Sequence, residues 1–213
     1  MDKLLGVVLC GGESRRMGRD KGLLDTGDGR WATRMGSKLA PLPVFYSINP
    51  QQWGNYSHIL PPDQLIIDST LLPAIQGPLK GLLSLHERFP DKDFLLVACD
   101  MQDLDAATLH KVTEAYNRNL LDPGKTTPAG DHPALSPHHP APASDRYDFF
   151  VYRDQHFFQP FAGIYTARGL RAIYRQAGEG LLRDASLQAL LKQARTNSLP
   201  IENPAAFRNY NTF

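Results

Sequence analysis

The sequence predicts an α/β fold, a three-layer α/β/α arrangement around a mostly parallel sheet, formed as a single domain over residues 1–213. Three observations carry this. Short apolar runs alternate with helix-compatible segments through the first 120 residues. The runs are near-continuous rather than alternating, the pattern of strands covered on both faces. At 213 residues the chain is long enough for one sizeable core.

The elements follow in order. Leu4–Cys10 is an apolar strand that stops abruptly at paired glycines. Trp31–Leu39 reads as a helix, and Val44–Ile48 as a second strand closed by an Asn49-Pro50 turn. Gln64–Ile67 is a short third strand ending at Asp68. Gly77-Pro78 opens a helix through about Glu87, with proline in the first turn where its missing N–H costs nothing. Phe94–Cys99 is a fourth strand, and Asp105–Asn117 a helix. Residues 122–146 hold six prolines and three histidines among small polar residues, and read as a long loop or disordered excursion. Two strands follow, Phe149–Arg153 and Gln159–Tyr165, then helices over Arg168–Gln176 and Asp184–Ala194.

Composition narrows the function classes. With 23 basic and 22 acidic residues the formal charge is +1, so no overall field favours nucleic acid or a membrane surface. Met1-Asp2-Lys3 runs straight into the first strand without a signal-peptide layout, and no apolar run is long enough to span a bilayer. A cytoplasmic protein is the expectation. Cys10 and Cys99 each close an apolar run and read as buried, reduced thiols.

The chemistry concentrates in one loop. After Cys10 come Gly11-Gly12-Glu13-Ser14-Arg15-Arg16-Met17-Gly18-Arg19-Asp20-Lys21. Glycines let backbone N–H groups approach an anion, while Arg15, Arg16 and Lys21 supply positive charge, a combination suited to a polyphosphate. Neither the P-loop nor the dinucleotide fingerprint is present. In sheets of this kind ligands bind beyond the carboxyl ends of the strands. Asp100 falls at such an end, where a carboxylate suits Mg²⁺ held jointly with substrate phosphates. Asp68, Ser47 and Asn49 fall at the same edge, with ordinary turn or cap roles as the competing reading. His132, His138 and His139 lack zinc-ligand spacing and read as loop residues. No Gly-x-Ser-x-Gly elbow supports a serine nucleophile.

With these residues in hand, the chain resembles the MobA-like nucleotidyltransferases, specifically the molybdenum cofactor guanylyltransferases. Their signature Leu-Ala-Gly-Gly-x-Ser-x-Arg-Met-Gly-x-Asp-Lys is met by Leu9–Lys21 with Cys10 in place of Ala. Gly77-Pro78-Leu79-Lys80-Gly81 resembles the family's Gly-Pro-Leu-x-Gly. Cys99-Asp100-Met101 resembles its Cys-Asp-x-Pro, with Gln102 replacing the Pro, and Asn209-Tyr210-Asn211-Thr212 its Asn-x-Asn-Thr.

The resemblance implies a Rossmann-like sheet of the nucleotide-diphospho-sugar transferase type and transfer of GMP from GTP to molybdopterin or the molybdenum cofactor, releasing pyrophosphate. It implies that Leu9, Cys10 and Gly11, with Gly12, hold the nucleotide, that Lys21 contacts its phosphates, and that Asp68 helps fix it. Asp100 would bind Mg²⁺, Arg15 would steady the leaving pyrophosphate, and Asn209 and Asn211 would help close the site. Ser47 stands where relatives carry a nucleotide-contacting Asn. Molybdoenzymes or their chaperones would receive the product. The paired Gly11-Gly12 leans the base toward guanine. Competing expectations are a cytidylyltransferase of the same cofactor, a sugar-phosphate nucleotidyltransferase, and a nucleotide-binding adaptor without catalysis, the last motivated by the unfamiliar 122–158 stretch.

Overall fold

The six residues of β1 (Leu4–Leu9) are all buried, as are the six of β4 (Asp93–Ala98) beside it. Two buried faces explain why these segments read as uninterrupted apolar runs. The structure is a computed structural model and describes residues 3–11, 20–121 and 146–210. The remaining strands are β2 (Val44–Ile48), β3 (Leu65–Ile67), β5 (Phe149–Arg153), β6 (Phe158–Tyr165) and β7 (Thr196–Pro200). The helices are α1 (Trp31–Lys38), α2 (Trp53–Tyr56), α3 (Gly77–Arg88), α4 (Ala106–Leu121), α5 (Ala167–Gly178) and α6 (Leu187–Gln193).

Among the described residues the sheet has seven strands in the order β3-β2-β1-β4-β6-β5-β7. Strands β1 to β4 run parallel to one another, β6 runs antiparallel to both β4 and β5, and β7 is parallel to β5. The chain leaves β1 toward β2 and β3 on one side, then crosses to β4 on the other. That reversal opens a crevice at the carboxyl ends of β1 and β4.

Each face has its own core. Val8, Tyr46, Ile48 and Val97 pack with Met35 of α1 and Leu109 and Val112 of α4. Val7, Leu9, Phe94, Leu96 and Val151 pack with Leu79 and Leu82 of α3, Leu170 and Ile173 of α5, and Leu190 of α6. These are the two helical layers.

Asp93 is a charged residue with no measurable exposure. Tyr116 donates its hydroxyl to Oδ2 at 2.6 Å, the Ala167 N–H donates to Oδ1 at 2.7 Å, and the Lys3 ammonium lies 3.3 Å away. One carboxylate thus ties β4 to α4 and to the start of α5. Asp93→Ala strands two buried donors, and a loss of about 3 kcal/mol in urea unfolding is expected.

The structure departs from the sequence reading in three places. Asn49-Pro50 is not a simple turn: Asn49 caps a 3-10 turn, Pro50–Gln52, that runs into α2. The helix expected from Asp184 begins at Leu187, capped by Ser186, whose side chain accepts from the Ala189 N–H at 3.2 Å. Strand β7 was not anticipated, because Thr196-Asn197-Ser198 is polar and Pro200 breaks the pattern. Both are tolerated on an edge strand.

Candidate active site

The crevice between β1 and β4 is lined at its floor by Cys10-Gly11 and Cys99-Asp100. The ladder continues past the strands, with the Cys99 N–H on the Leu9 carbonyl at 3.1 Å. On the other side the N–H groups of Cys10 and Gly11 both donate to the Ser47 carbonyl, at 2.9 and 3.0 Å. The amides of Cys10 and Gly11 are therefore hydrogen-bonded to β2. Gly12, Arg15 and Arg16, with the rest of 12–19, lie outside the described residues, as do Asn211, 122–145 and the three histidines within that stretch.

Both cysteines are free and buried, as expected. Burial pushes the Cys10 thiol well above its ordinary range, and Cys99 beside it adds to the shift. Cys10 is thus a neutral packing residue, which explains how it can stand in for a small apolar side chain.

Lys21 and Asp100, 79 positions apart in sequence, meet here. The Lys21 ammonium donates to Asp100 Oδ2 at 2.8 Å, with both side chains mostly buried, 17% and 14% exposed. Lys21 opens a 3-10 turn, Lys21–Leu23, whose cap is Asp20. Asp20 accepts from the Gly22 N–H at 3.0 Å, from the Tyr56 hydroxyl at 2.8 Å and from Gln52 Nε2 at 2.6 Å. A Cβ on Gly22 would fall 2.1 Å from the Tyr56 oxygen, so glycine is what allows this approach. Another close fit occurs at Gly81 in α3, where a Cβ would fall 2.4 Å from Ser47 Oγ. Ser47 is itself buried, and it serves the site through its carbonyl rather than as an exposed ligand.

The Asp100 loop is braced from two directions. Gln102, standing where relatives have proline, donates to the Cys99 carbonyl at 2.6 Å, so a side-chain bond substitutes for a rigid ring. The Tyr210 N–H donates to the Asp100 carbonyl at 3.3 Å and its hydroxyl to Asp103 at 2.8 Å, with the ring edge-on to Trp31 at 6.0 Å. This carries the Asn209 segment to the site edge, where Asn209 is exposed.

Asp68 follows β3 at the same edge, its N–H on the Ile48 carbonyl at 2.9 Å. Three strand spacings separate β3 from β4, about 14 Å across the sheet. A ligand reaching both Asp68 and Asp100 would have to meet them with different parts. Burial raises the Asp68 carboxyl to about 6, against the opposing pull of Lys80. A carboxyl raised in the folded state adds stability at low pH that is lost as pH climbs through about 6. Asp68→Asn is expected to raise the melting temperature at pH 8 by roughly 2–4 °C, with the gain vanishing toward pH 4. Calorimetry across that range checks it.

Gln52, Tyr56 and Tyr210 escaped the sequence reading, because each acts through a long-range bond rather than a local motif. One signal was present. Asn49-Pro50-Gln51-Gln52 is a capping-box pattern with proline at the first position. Both of its reciprocal bonds form, at 3.1 and 2.8 Å.

Among the described residues no group of three or more His, Cys, Asp or Glu side chains could hold a metal, and no helix is long and apolar enough to cross a membrane. The chain is 31% identical over 124 residues to the molybdenum cofactor biosynthesis bifunctional protein of Synechocystis. That match takes in 55% of this chain and 33% of the relative, so the chain spans about a third of that protein's length. Its fold matches the crystal structure of molybdopterin-guanine dinucleotide biosynthesis protein A from Archaeoglobus fulgidus, with TM-score 0.67 and 16% identity over 97% of this chain and 92% of that one. It also matches a nucleotidyl transferase from Methanothermobacter thermautotroptrophicus, with TM-score 0.64 and 14% identity over 99% and 93%. A sequence model of the MobA-like NTP transferase domain matches residues 6–197, nearly the whole chain. The glycine loop, the Lys21–Asp100 pair and the strand order that joins them thus have a common explanation: the chain belongs to the MobA-like NTP transferase family.

Proposed function

We propose that the chain transfers GMP from GTP to the terminal phosphate of molybdopterin or its molybdenum form, releasing pyrophosphate. The observation that carries this is the Lys21–Asp100 contact at 2.8 Å in the β1/β4 crevice. A cation and a carboxylate held together at the end of a glycine loop are what two approaching phosphates need. The family supports nucleotidyl transfer, and the name of the Synechocystis relative supports the cofactor pathway. The paired Gly11-Gly12 supports guanine.

The acceptor is already an ionised phosphate, so no general base is required. Catalysis then rests on placing the attacking oxygen in line and neutralising charge. Lys21 would move from Asp100 onto the α-phosphate, and Arg15 would steady the departing pyrophosphate. The donor set fits Mg²⁺: the Asp100 carboxylate, once Lys21 moves off it, suits a cation that takes one or two protein carboxylates together with phosphates and waters. Asp100 would hold it, and when bound it would screen the phosphate charges and order their oxygens. Asp68 would fix the nucleotide from the far side of the sheet edge.

The test is pyrophosphate release from GTP with molybdopterin and Mg²⁺, run beside CTP and beside a sugar phosphate acceptor. Turnover with GTP and molybdopterin alone is expected. Preference for CTP or for the sugar phosphate would replace the donor or acceptor. GTP binding without turnover on any acceptor would favour the adaptor reading. Binding is read by thermal shift, since a ligand at roughly a thousand times its dissociation constant adds about 4 kcal/mol.

A further inference from the structure

Gln52 is among the buried polar side chains that the nucleotide-transfer reading leaves unused. Gln52 sits in the 3-10 turn after β2 and is only 8% exposed. Its carboxamide employs both of its hydrogens and its oxygen. Nε2 donates to the Cys10 carbonyl at 3.0 Å and to Asp20 Oδ2 at 2.6 Å, while Oε1 accepts the Asn49 N–H at 2.8 Å. The Gln52 N–H returns to Asn49 Oδ1 at 3.1 Å, so the amide itself is held in place.

The two groups that Nε2 joins are not neighbours in sequence. Cys10 enters the glycine loop and Asp20 leaves it. A single side chain therefore spans the loop's two ends. Beyond Asp20 the fastening continues: its Oδ1 takes the Tyr56 hydroxyl and the Gly22 N–H, which fixes the backbone on both sides of Lys21. Tyr56 is wholly buried. Burial, with Cys10 and Asp20 nearby, pushes its hydroxyl far above the ordinary range, so it stays a donor. The bonds to Asp20 are charge-assisted and stronger than neutral ones.

A core network would satisfy buried groups wherever they fell. Here the bonds made by Gln52 Nε2 and by Asp20 end on the entrance of the loop, on its exit, or on the turn that carries Lys21, while the bonds to Asn49 hold Gln52 itself. Holding both ends of a loop removes conformations that a ligand would otherwise have to remove, and so raises affinity without touching the ligand. We propose that Gln52 is a positioning residue: its carboxamide fastens the entrance of the glycine loop to its exit and, through Asp20, sets Lys21 against Asp100. The proposal rests on the nucleotide-transfer reading, in which the loop and Lys21 receive the triphosphate.

Two variants test it. Gln52→Met keeps length and apolar bulk but removes both donors, and Tyr56→Phe removes a single hydroxyl from Asp20. Each is titrated with a fluorescent GTP analogue and Mg²⁺, in the wild-type and in the Lys21→Ala background. A charge-assisted bond lost at a positioning site corresponds to a weakening of about tenfold to a hundredfold for Gln52→Met. In the Lys21→Ala background the further loss should be at least about threefold smaller than in the wild type, because the share that acts through Lys21 is gone and only the loop fastening remains. Equal losses in both backgrounds would mean a general structural role and overturn the proposal.

Hydrogen exchange without ligand supplies the second arm. The Gly22 amide should exchange at least about tenfold faster in both variants while the Val97 amide in β4 keeps its protection. Unchanged Gly22 exchange would also overturn the fastening. If the wild-type chain binds no nucleoside triphosphate, the nucleotide-transfer reading falls and exchange alone decides whether the loop ends are tied. Should Gln52→Met fail to fold, Tyr56→Phe carries the same two measurements.

Discussion

Asp100→Ala is expected to abolish nucleotidyl transfer, by about a thousandfold or more, while the protein stays folded. The site loses the Asp100 carboxylate at the β1/β4 crevice, and with it the proposed anchor for a divalent cation and the partner of Lys21. Two negatively charged phosphates must come together in this reaction, so charge neutralisation is where the largest share of rate enhancement lies. The loop itself should survive. Its braces from Gln102 and Tyr210 fall on the backbone carbonyls of Cys99 and Asp100 rather than on the deleted side chain. Pyrophosphate release at saturating GTP, with circular dichroism on the same sample, checks both halves. Wild-type turnover in this variant would sink the assignment of Asp100.

Lys21→Ala is expected to lower the rate by about a hundredfold to a thousandfold, the range typical for removing one donor aimed at developing charge. The loss should fall on GTP affinity as well as on kcat, because the ammonium meets the phosphates of the bound triphosphate and its contact strengthens as the α-phosphate is attacked. Lys21→Arg is the informative companion. It keeps the charge but offers a planar fork in place of the compact ammonium that meets Asp100 Oδ2 at 2.8 Å. Partial recovery in the arginine variant is the expected result. A Lys21→Ala variant with unchanged kcat would remove Lys21 from the mechanism.

Much of this was legible in the chain because burial on both faces leaves no room for polar interruption. Strands β1 and β4 are buried along their whole length, and the sequence shows it as unbroken apolar runs. Strand β7 is buried at Thr196 and progressively less along the rest, so it carries Asn197, Ser198 and Pro200 and could not be told from a loop. Lys21 and Asp100 were legible for a different reason: glycines and charges at strand ends stand out against an apolar background. Gln52 and Tyr56 did not stand out, since a glutamine or a tyrosine in a polar turn is ordinary. What makes them unusual is a partner over thirty positions away. Asp68 lies at the end of β3 as its place after an apolar run implies, but its raised carboxyl comes from burial in the folded chain, which a run of residues does not display.

The parallel register of β1 with β4 joins residues roughly ninety positions apart, from Leu4 on Asp93 to Leu9 on Ala98. Local contacts cannot form that pairing early; the intervening chain must first be brought back on itself, and loop-closure entropy opposes this until the helices are packed. The crevice holding Lys21 and Asp100 therefore comes into being only once the central strands have zipped together. A bound triphosphate would report the completion of folding rather than any one segment of it. Newly made chains would acquire nucleotide affinity and protease resistance in the same kinetic phase.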